Sequence, residues 1–211
     1  TEQGMLYGHP FHVTSKANLG FSKEDMKKYS PELGASFQLH YFAIHSSLIQ
    51  KLVSEEQSSH RIEDEVLEAA KEYLQKSLVN YELMPTHPWQ ANFLLQHTSL
   101  KKHLDSQDVI YLGALGQTVW PTSSVRTVWL PQSNLFLKLS IDVRITSFIR
   151  NNPMDEMERA IDASKIIINH KINEQYPDLV ILPELEAKTV KIPELESSFG
   201  IIYRAGLPPE V

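Results

Sequence analysis

Over residues 135–141 the chain sets Leu135, Leu137, Leu139 and Ile141 in alternation with Phe136, Lys138 and Ser140, a period of two that suits a strand with one buried face. Residues 123–130 form a second such run, and Pro131-Gln132-Ser133 between them carries turn chemistry, so the two read as a hairpin. With the leucine face buried, Val125, Thr127 and Trp129 are expected to join it, Trp129 opposite Leu135. That register sets Arg126 directly opposite Lys138 on the outer face, beside Ser124 and Ser140, with Val128 and Phe136 as a small apolar patch. A slip by one residue would turn Arg126 onto the leucines, which burial disfavours.

Two cations on neighbouring strands repel unless an anion lies between them or both heads splay into water. Hydroxyl donors, paired cations and an apolar patch suit a nucleotide, with its phosphates on one part and its base on the other. The same residues also make an ordinary wet face of an antiparallel sheet, and the pattern alone does not choose. Charge distribution makes a small anion a candidate ligand without deciding between these readings. The net charge is -6, from 20 basic and 26 acidic residues. Residues 110–152 nevertheless hold four cations (Arg126, Lys138, Arg144, Arg150) against Asp142, so that stretch is +3 and the remainder, 16 bases against 25 acids, is -9. An acidic surface argues against general nucleic-acid binding, while a local basic stretch suits a small polyanion.

Elsewhere the pattern is helical first and strand-like later. A helix is expected to start at Ser30-Pro31-Glu32 and run to about residue 52, with Phe37, Tyr41, Ile44, Leu48 and Leu52 as its buried stripe. A second, over about 61–80, carries Ile62, Val66, Leu67, Ala70, Tyr73, Leu74 and Leu78. A short strand over 81–84 precedes Pro85, and Pro88 opens a helix to Gln96 with Trp89, Phe93 and Leu94 on one side. Strands are expected over 109–115, 124–130, 135–141, 179–182 and 199–203, interrupted by a helix from Asn152-Pro153 to about His170 with Met157, Ile161, Ser164 and Ile168 in line. This order predicts an α+β fold, a mainly antiparallel sheet with helices packed on it, in one domain over residues 1–211.

Several classes of chemistry find no residues. The chain has no cysteine, which removes disulfides, thiolate metal sites and thiol nucleophiles and fits a reducing cytoplasm. No apolar run approaches the length of a membrane span, and residues 1–7 lack the layout of a signal peptide. There is no HExxH, GxSxG or glycine-rich phosphate loop. His9 and His12, with His87, His97 and His103 further on, bring no demonstrable third metal ligand, and proline-flanked histidines are commonly hydrogen-bonded loop formers, so no metal site is assigned. Trp89, Trp120 and Trp129 could form a ligand-stacking set, but tryptophans at sheet and helix positions usually lie in the core, and they are expected there.

Four segments, in order, resemble the IucA/IucC family of siderophore synthetases, which work without a nonribosomal peptide assembly line. Gly8-His9-Pro10-Phe11-His12, followed by Lys16 and Gly20-Phe21, resembles one family signature, and His87-Pro88-Trp89-Gln90 resembles another. Pro121-Thr122-Ser123-Ser124-Val125-Arg126-Thr127 with Lys138-Leu139, and then Ile145-Thr146-Ser147-Phe148-Ile149-Arg150, resemble its nucleotide-site core. Val13 departs from the usual second proline after His12, and Asn18 from a frequent basic residue.

The resemblance implies ATP-dependent activation of a citrate-like carboxylate and its condensation with a polyamine or amino-alcohol nucleophile. It implies that Ser124, Arg126, Thr127, Lys138 and Arg150 surround the ATP phosphates, that Lys16 joins the nucleotide contacts, and that Thr146 and Arg150 lie near the carboxylate. His9 would orient a substrate group. Such enzymes are built as thumb, fingers and palm, and this chain corresponds to the fingers; Mg2+ ligands and the remaining catalytic groups would belong to the palm. The segment alone is expected to bind ATP weakly and not to turn over. A non-catalytic nucleotide- or polyanion-binding domain is the competing reading. Neither nucleic acid nor membrane is an expected partner, and the full-length protein is open to forming a homodimer.

Overall fold

The computed structural model describes residues 36–55, 64–74, 78–121, 127–130, 133, 135–140, 153–178 and 181–206. Within them eight strands run β1 (Phe37–His45), β2 (Ile49–Val53), β3 (Tyr81–Thr86), β4 (Val109–Pro121), β5 (Thr127–Leu130), β6 (Leu135–Leu139), β7 (Glu184–Val190) and β8 (Gly200–Ala205). The helices are α1 (Asp64–Leu74), α2 (Pro88–Gln96), α3 (Thr98–Asp105), α4 (Pro153–Asn169) and the single turn α5 (Ile172–Gln175). The strands form one sheet in the order β2-β7-β8-β6-β5-β4-β1-β3, and every pairing is antiparallel. The α+β architecture is as expected. Among the described residues no helix is long and apolar enough to cross a membrane.

The sheet curls until its two ends approach. Strands β1 and β2 lie six places apart in the order, yet only the 3-10 turn Ser46–Leu48 joins them. Glu82 on edge strand β3 reaches Lys188 on β7, beside the other edge. Strand β4 makes the bend. Its pairing with β1 slips twice, between Gln38 and His40 and between Tyr41 and Phe42, and Gly113 and Gly116 sit at φ 79° and 74°, a backbone region natural to glycine. Inside the curl Phe42 meets Phe199 edge-on at 4.9 Å, and Leu39, Met84, Leu137 and Leu139 are fully buried around them. Helices α1, α2 and α3 add Val66, Ala70, Ala91, Leu94 and Leu100 to the same core. On the other face Met157 and Ile161 of α4 pack on Ala187 and Ile202. Ser164 ties α4 to the start of β7, donating to the Ala160 carbonyl at 2.8 Å and accepting from the Glu184 N–H at 2.8 Å.

Several local expectations are overturned. The described part of the predicted helix ending near residue 52 is two strands and a turn. Its stripe at helical spacing was a coincidence of double-sided burial, because Tyr41, Phe42, Ala43 and Ile44 are consecutive buried residues of β1, covered by helices on one side and the curl on the other. Strand β3 continues through Pro85 to Thr86. Strand β4 is longer than expected, and α3 was not foreseen. Of the strand expected over 179–182, residues 179–180 lie outside the described residues and 181–182 are irregular, β7 beginning only after Pro183. On α2 Leu94 is buried, but Trp89 and Phe93 face water.

Candidate functional site

The hairpin of β5 and β6 forms, one residue out of the expected register. Leu130 pairs with Leu135, Val128 with Leu137 and Thr127 with Lys138. Val128 and Leu130 therefore join Leu137 and Leu139 in the core, and Trp129 turns outward opposite Phe136. The expected register rested on keeping Arg126 off the leucines; in the fold the compact β-branched Val128 fills the interior row and the indole of Trp129 turns out.

The outer face thus places Thr127 directly against Lys138, and these are the two assigned site residues that lie within the described structure. Both are partly exposed. Arg126, expected opposite Lys138, lies outside the described residues, as do Ser124, Thr146, Arg150, His9 and Lys16. Ser140 does not serve the outer face. It is buried at φ 88°, its N–H donates to the Gly200 carbonyl at 2.7 Å, and its hydroxyl donates to the Ser197 carbonyl at 2.8 Å. Those two bonds hold a left-handed conformation that a serine seldom adopts.

The segment His87-Pro88-Trp89-Gln90 opens α2. His87 Nδ1 accepts the Trp89 N–H at 3.1 Å, capping the helix that Pro88 starts. Gln90 is buried and donates its amide to the Ser198 carbonyl, fastening α2 to the loop before β8. His87 meets Phe37 edge-on at 4.6 Å, and the Thr86 hydroxyl donates to the His40 carbonyl at 2.9 Å. His40 Nδ1 lies 2.5 Å from Tyr111 Oη. Burial, and then His40 nearby, push His87 down to about 4; burial also lowers His40 and raises the Tyr111 phenol. Both imidazoles are thereby kept neutral at physiological pH, able to exchange hydrogen bonds but poorly suited to pairing with an anion.

A third polar group lies inside the curl. Lys188 Nζ stands 2.8 Å from carboxylate oxygens of both Glu186 and Glu82, and Lys51 Nζ stands 3.5 Å from Glu186. Burial alone would lower the Lys188 pKa, but the two carboxylates outweigh it and hold the ammonium above its ordinary value. The tyrosine ring of Tyr203 packs below, its phenol pushed up by burial and by the same carboxylates. The sequence did carry a signal: Glu186 and Lys188 are two residues apart in a strand and so share a face. His40 offered none, sitting in a run that reads as helical.

Among the described residues no group of three histidines and carboxylates is placed to hold a metal. On the hairpin's outer face, the neighbouring carboxylate Glu184 is already bound by Arg204.

Residues 1–211 match the model of the IucA / IucC family along their whole length. The chain is 36% identical over 219 residues to an L-2,3-diaminopropanoate–citrate ligase of Staphylococcus aureus, an alignment covering 99% of this chain and 38% of that enzyme. Among solved structures it resembles the petrobactin biosynthesis protein AsbB of Bacillus anthracis, with a TM-score of 0.73, 22% identity and coverage of 97% of this chain and 37% of that one. It also resembles the ATP-bound aerobactin synthetase IucA of a hypervirulent Klebsiella pneumoniae, with a TM-score of 0.68, 20% identity and coverage of 89% and 34%. At these identities the solved structures establish the fold, and the chain spans a little over a third of the length of the ligase it matches.

Proposed function

Because the chain belongs to the IucA / IucC family, we propose that it is the ATP-binding fingers portion of a cytoplasmic siderophore synthetase that adenylates a citrate-like carboxylate and joins it to an amine or hydroxyl nucleophile. One observation of the fold carries the reading: Thr127 and Lys138, both in the phosphate set, stand directly opposite each other on the outer face of β5 and β6. That the relatives include a citrate ligase and that a structural neighbour is an ATP-bound synthetase support the same assignment.

In the proposed reaction a carboxylate oxygen attacks the α-phosphorus of ATP, the bond to the bridging oxygen breaks and pyrophosphate leaves. The nucleophile then adds to the acyl carbon, AMP departs and the nucleophile's proton is lost to a base or to water. Two anions meet in the first step. Lys138, with Arg126 and Arg150, offsets that repulsion; Thr127 and Ser124 donate hydrogen bonds to phosphate oxygens, and Lys16 joins the nucleotide contacts. Thr146 and Arg150 hold the carboxylate, and His9 orients a substrate group. The described residues of this face do not fit a magnesium site, since a hard cation needs a set of oxygen ligands and Glu184 is engaged with Arg204. Any Mg2+ ligands are assigned to the palm. Residues 1–211 form one domain in this reading and supply one wall of a composite site.

The test is ATP–pyrophosphate exchange dependent on citrate in the full-length synthetase. Wild type is expected to exchange, with AMP as the nucleotide product. Lys138→Ala should lower exchange by about 100-fold or more, the scale of losing a charge-stabilising group. Release of ADP and phosphate would replace adenylation by phosphorylation, and normal exchange by a folded Lys138→Ala would remove the phosphate assignment.

A further inference from the structure

Next to the Thr127–Lys138 pair, a row of aromatic side chains crosses three strands. Trp120 of β4 pairs with Trp129 of β5, Trp129 with Phe136 of β6, and Phe136 with Arg204 of β8. Direct cross-strand partners share a face, and so do residues two apart on a strand. The aromatic row therefore lies on the face of Thr127 and Lys138, one row along, at about 7 Å, with neighbouring strands about 4.8 Å apart.

Trp120 is 48% exposed and Trp129 is 37% exposed, whereas the alternate residues Val119, Val128 and Leu130 are buried on the opposite face. Helix α4 supplies apolar cover further along this side, over Ala187 and Ile202 of β7 and β8. Arg204 closes the row, with its guanidinium bound to Glu184.

From this arrangement we infer that Trp129, with Trp120 and Phe136 beside it, is the stacking platform for the base of the bound nucleotide. A nucleoside polyphosphate is a planar π-system joined through a sugar to an anion. The sheet presents the matching halves in adjacent rows, flat aromatic surface in one and a hydroxyl with an ammonium in the next. Stacking on an indole requires no particular hydrogen-bond pattern, so this row supplies affinity for a base while discriminating little among bases. The inference rests on the nucleotide reading of the hairpin face and adds the residues that hold the base and its direction, base toward the Trp120–Trp129–Phe136 row and phosphates toward Lys138.

The experiment measures binding of three probes to the full-length synthetase: ATP, adenosine, and tripolyphosphate, which has the phosphates without a base. Trp129→Ala should weaken ATP and adenosine alike, by roughly 5- to 100-fold, and leave tripolyphosphate unchanged. Trp129→Phe should recover most of the loss. Lys138→Ala should do the reverse, weakening ATP and tripolyphosphate while sparing adenosine. Should Trp129→Ala fail to fold, a Trp89→Phe background, which removes the exposed indole of α2, allows a second measurement. ATP and adenosine should then quench or shift the part of the tryptophan emission that a further Trp129→Phe removes, and tripolyphosphate should not.

If ATP affinity in folded Trp129→Ala stays within twofold of wild type, or if all three probes weaken equally, the platform is overturned. Indoles unreachable by acrylamide and indifferent to ATP overturn it as well, because another part of the synthetase then covers them. In each of these cases a Lys138→Ala loss confined to the phosphate-bearing probes leaves the nucleotide reading standing. A wild-type enzyme that binds neither ATP nor tripolyphosphate overturns both.

Discussion

Lys138 and Lys188 lie two strands apart in one sheet and on opposite faces of it, and their surroundings could hardly differ more. Lys188 points into the curl, where Glu186 and Glu82 each place an oxygen at 2.8 Å and Lys51 balances the second carboxylate. Lys138 points outward, opposite a threonine and beside a row of aromatics. A buried ammonium must have its counterions built into the fold, since removing it from water without them costs several kcal/mol. A cation on an outer face carries no such requirement and can be matched by a ligand instead. The comparison separates a lysine that holds the two ends of a sheet together from one that we propose meets the phosphates of a ligand.

The comparison breaks if the two lysines respond alike to removal. Lys188→Met leaves the buried Glu186 and the partly exposed Glu82 with Lys51 as their remaining cation, and breaking a buried pair costs about 3–5 kcal/mol, a part of which Lys51 offsets. Urea denaturation of the full-length protein should show that loss, and Glu82→Gln made together with Lys188→Met should return part of it. Lys138→Ala, by contrast, should move the denaturation midpoint little while abolishing most exchange. An equally stable Lys188→Met would mean that the interior carboxylates find water or protons easily and that the curl does not depend on this clasp.

How much of this was legible beforehand depends on how many faces of an element are buried. The Leu135, Leu137, Leu139 alternation identified β6 at once because one face of it is wet. Strand β1 is covered on both faces, loses its alternation and passed for a helix. The Pro88 start of α2 and the Met157–Ile161–Ser164 stripe of α4 were readable for the opposite reason: a proline at the first turn and a one-sided apolar stripe are local signals. On the hairpin, residue chemistry pointed to Lys138 with Arg126 and set Thr127 on the buried face; only the family resemblance added Thr127, and keeping Arg126 off the leucines set the register one residue out. The union of Glu82 with Lys188 could not have been read, because it depends on the curl that joins strands more than a hundred residues apart in the chain.

His87 sharpens the comparison by showing how the fold treats a titratable group that is buried without counterions. Its folded pKa is pushed down to about 4 from an ordinary 6.5, so the unfolded chain takes up the proton first as pH falls. The neutral ring's contribution is complete above pH 6.5 and is lost progressively toward pH 4, on the order of 3 kcal/mol in all. His87→Asn keeps an acceptor for the Trp89 N–H and has nothing to protonate. Its stability should therefore be flatter than wild type's between pH 6.5 and 4, measured by urea midpoints at closely spaced pH. An unchanged acid limb would assign that limb to other groups.

The smallest expected effect concerns the bend that makes the two lysine environments distinct. Gly113 holds φ 79° between the two register slips of β4, and a Cβ built there would meet nothing within 4 Å. Space is thus no obstacle to a side chain, and Gly113→Ala isolates the cost of the backbone conformation, about 1–2 kcal/mol for an L-residue in the left-handed region. Two responses can be told apart. If the bend is imposed by the closure of the sheet, the alanine variant should lose that amount of stability and keep its Lys188 clasp, with ATP affinity unchanged. If the glycine itself permits the bend, the strand should straighten to relieve the strain, and straightening would draw β3 and Glu82 away from Lys188. The loss should then approach that of Lys188→Met and should no longer add to it in the double variant. Because the clasp spans the seam that closure creates, we expect the first response, with additive losses in Gly113→Ala and Lys188→Met.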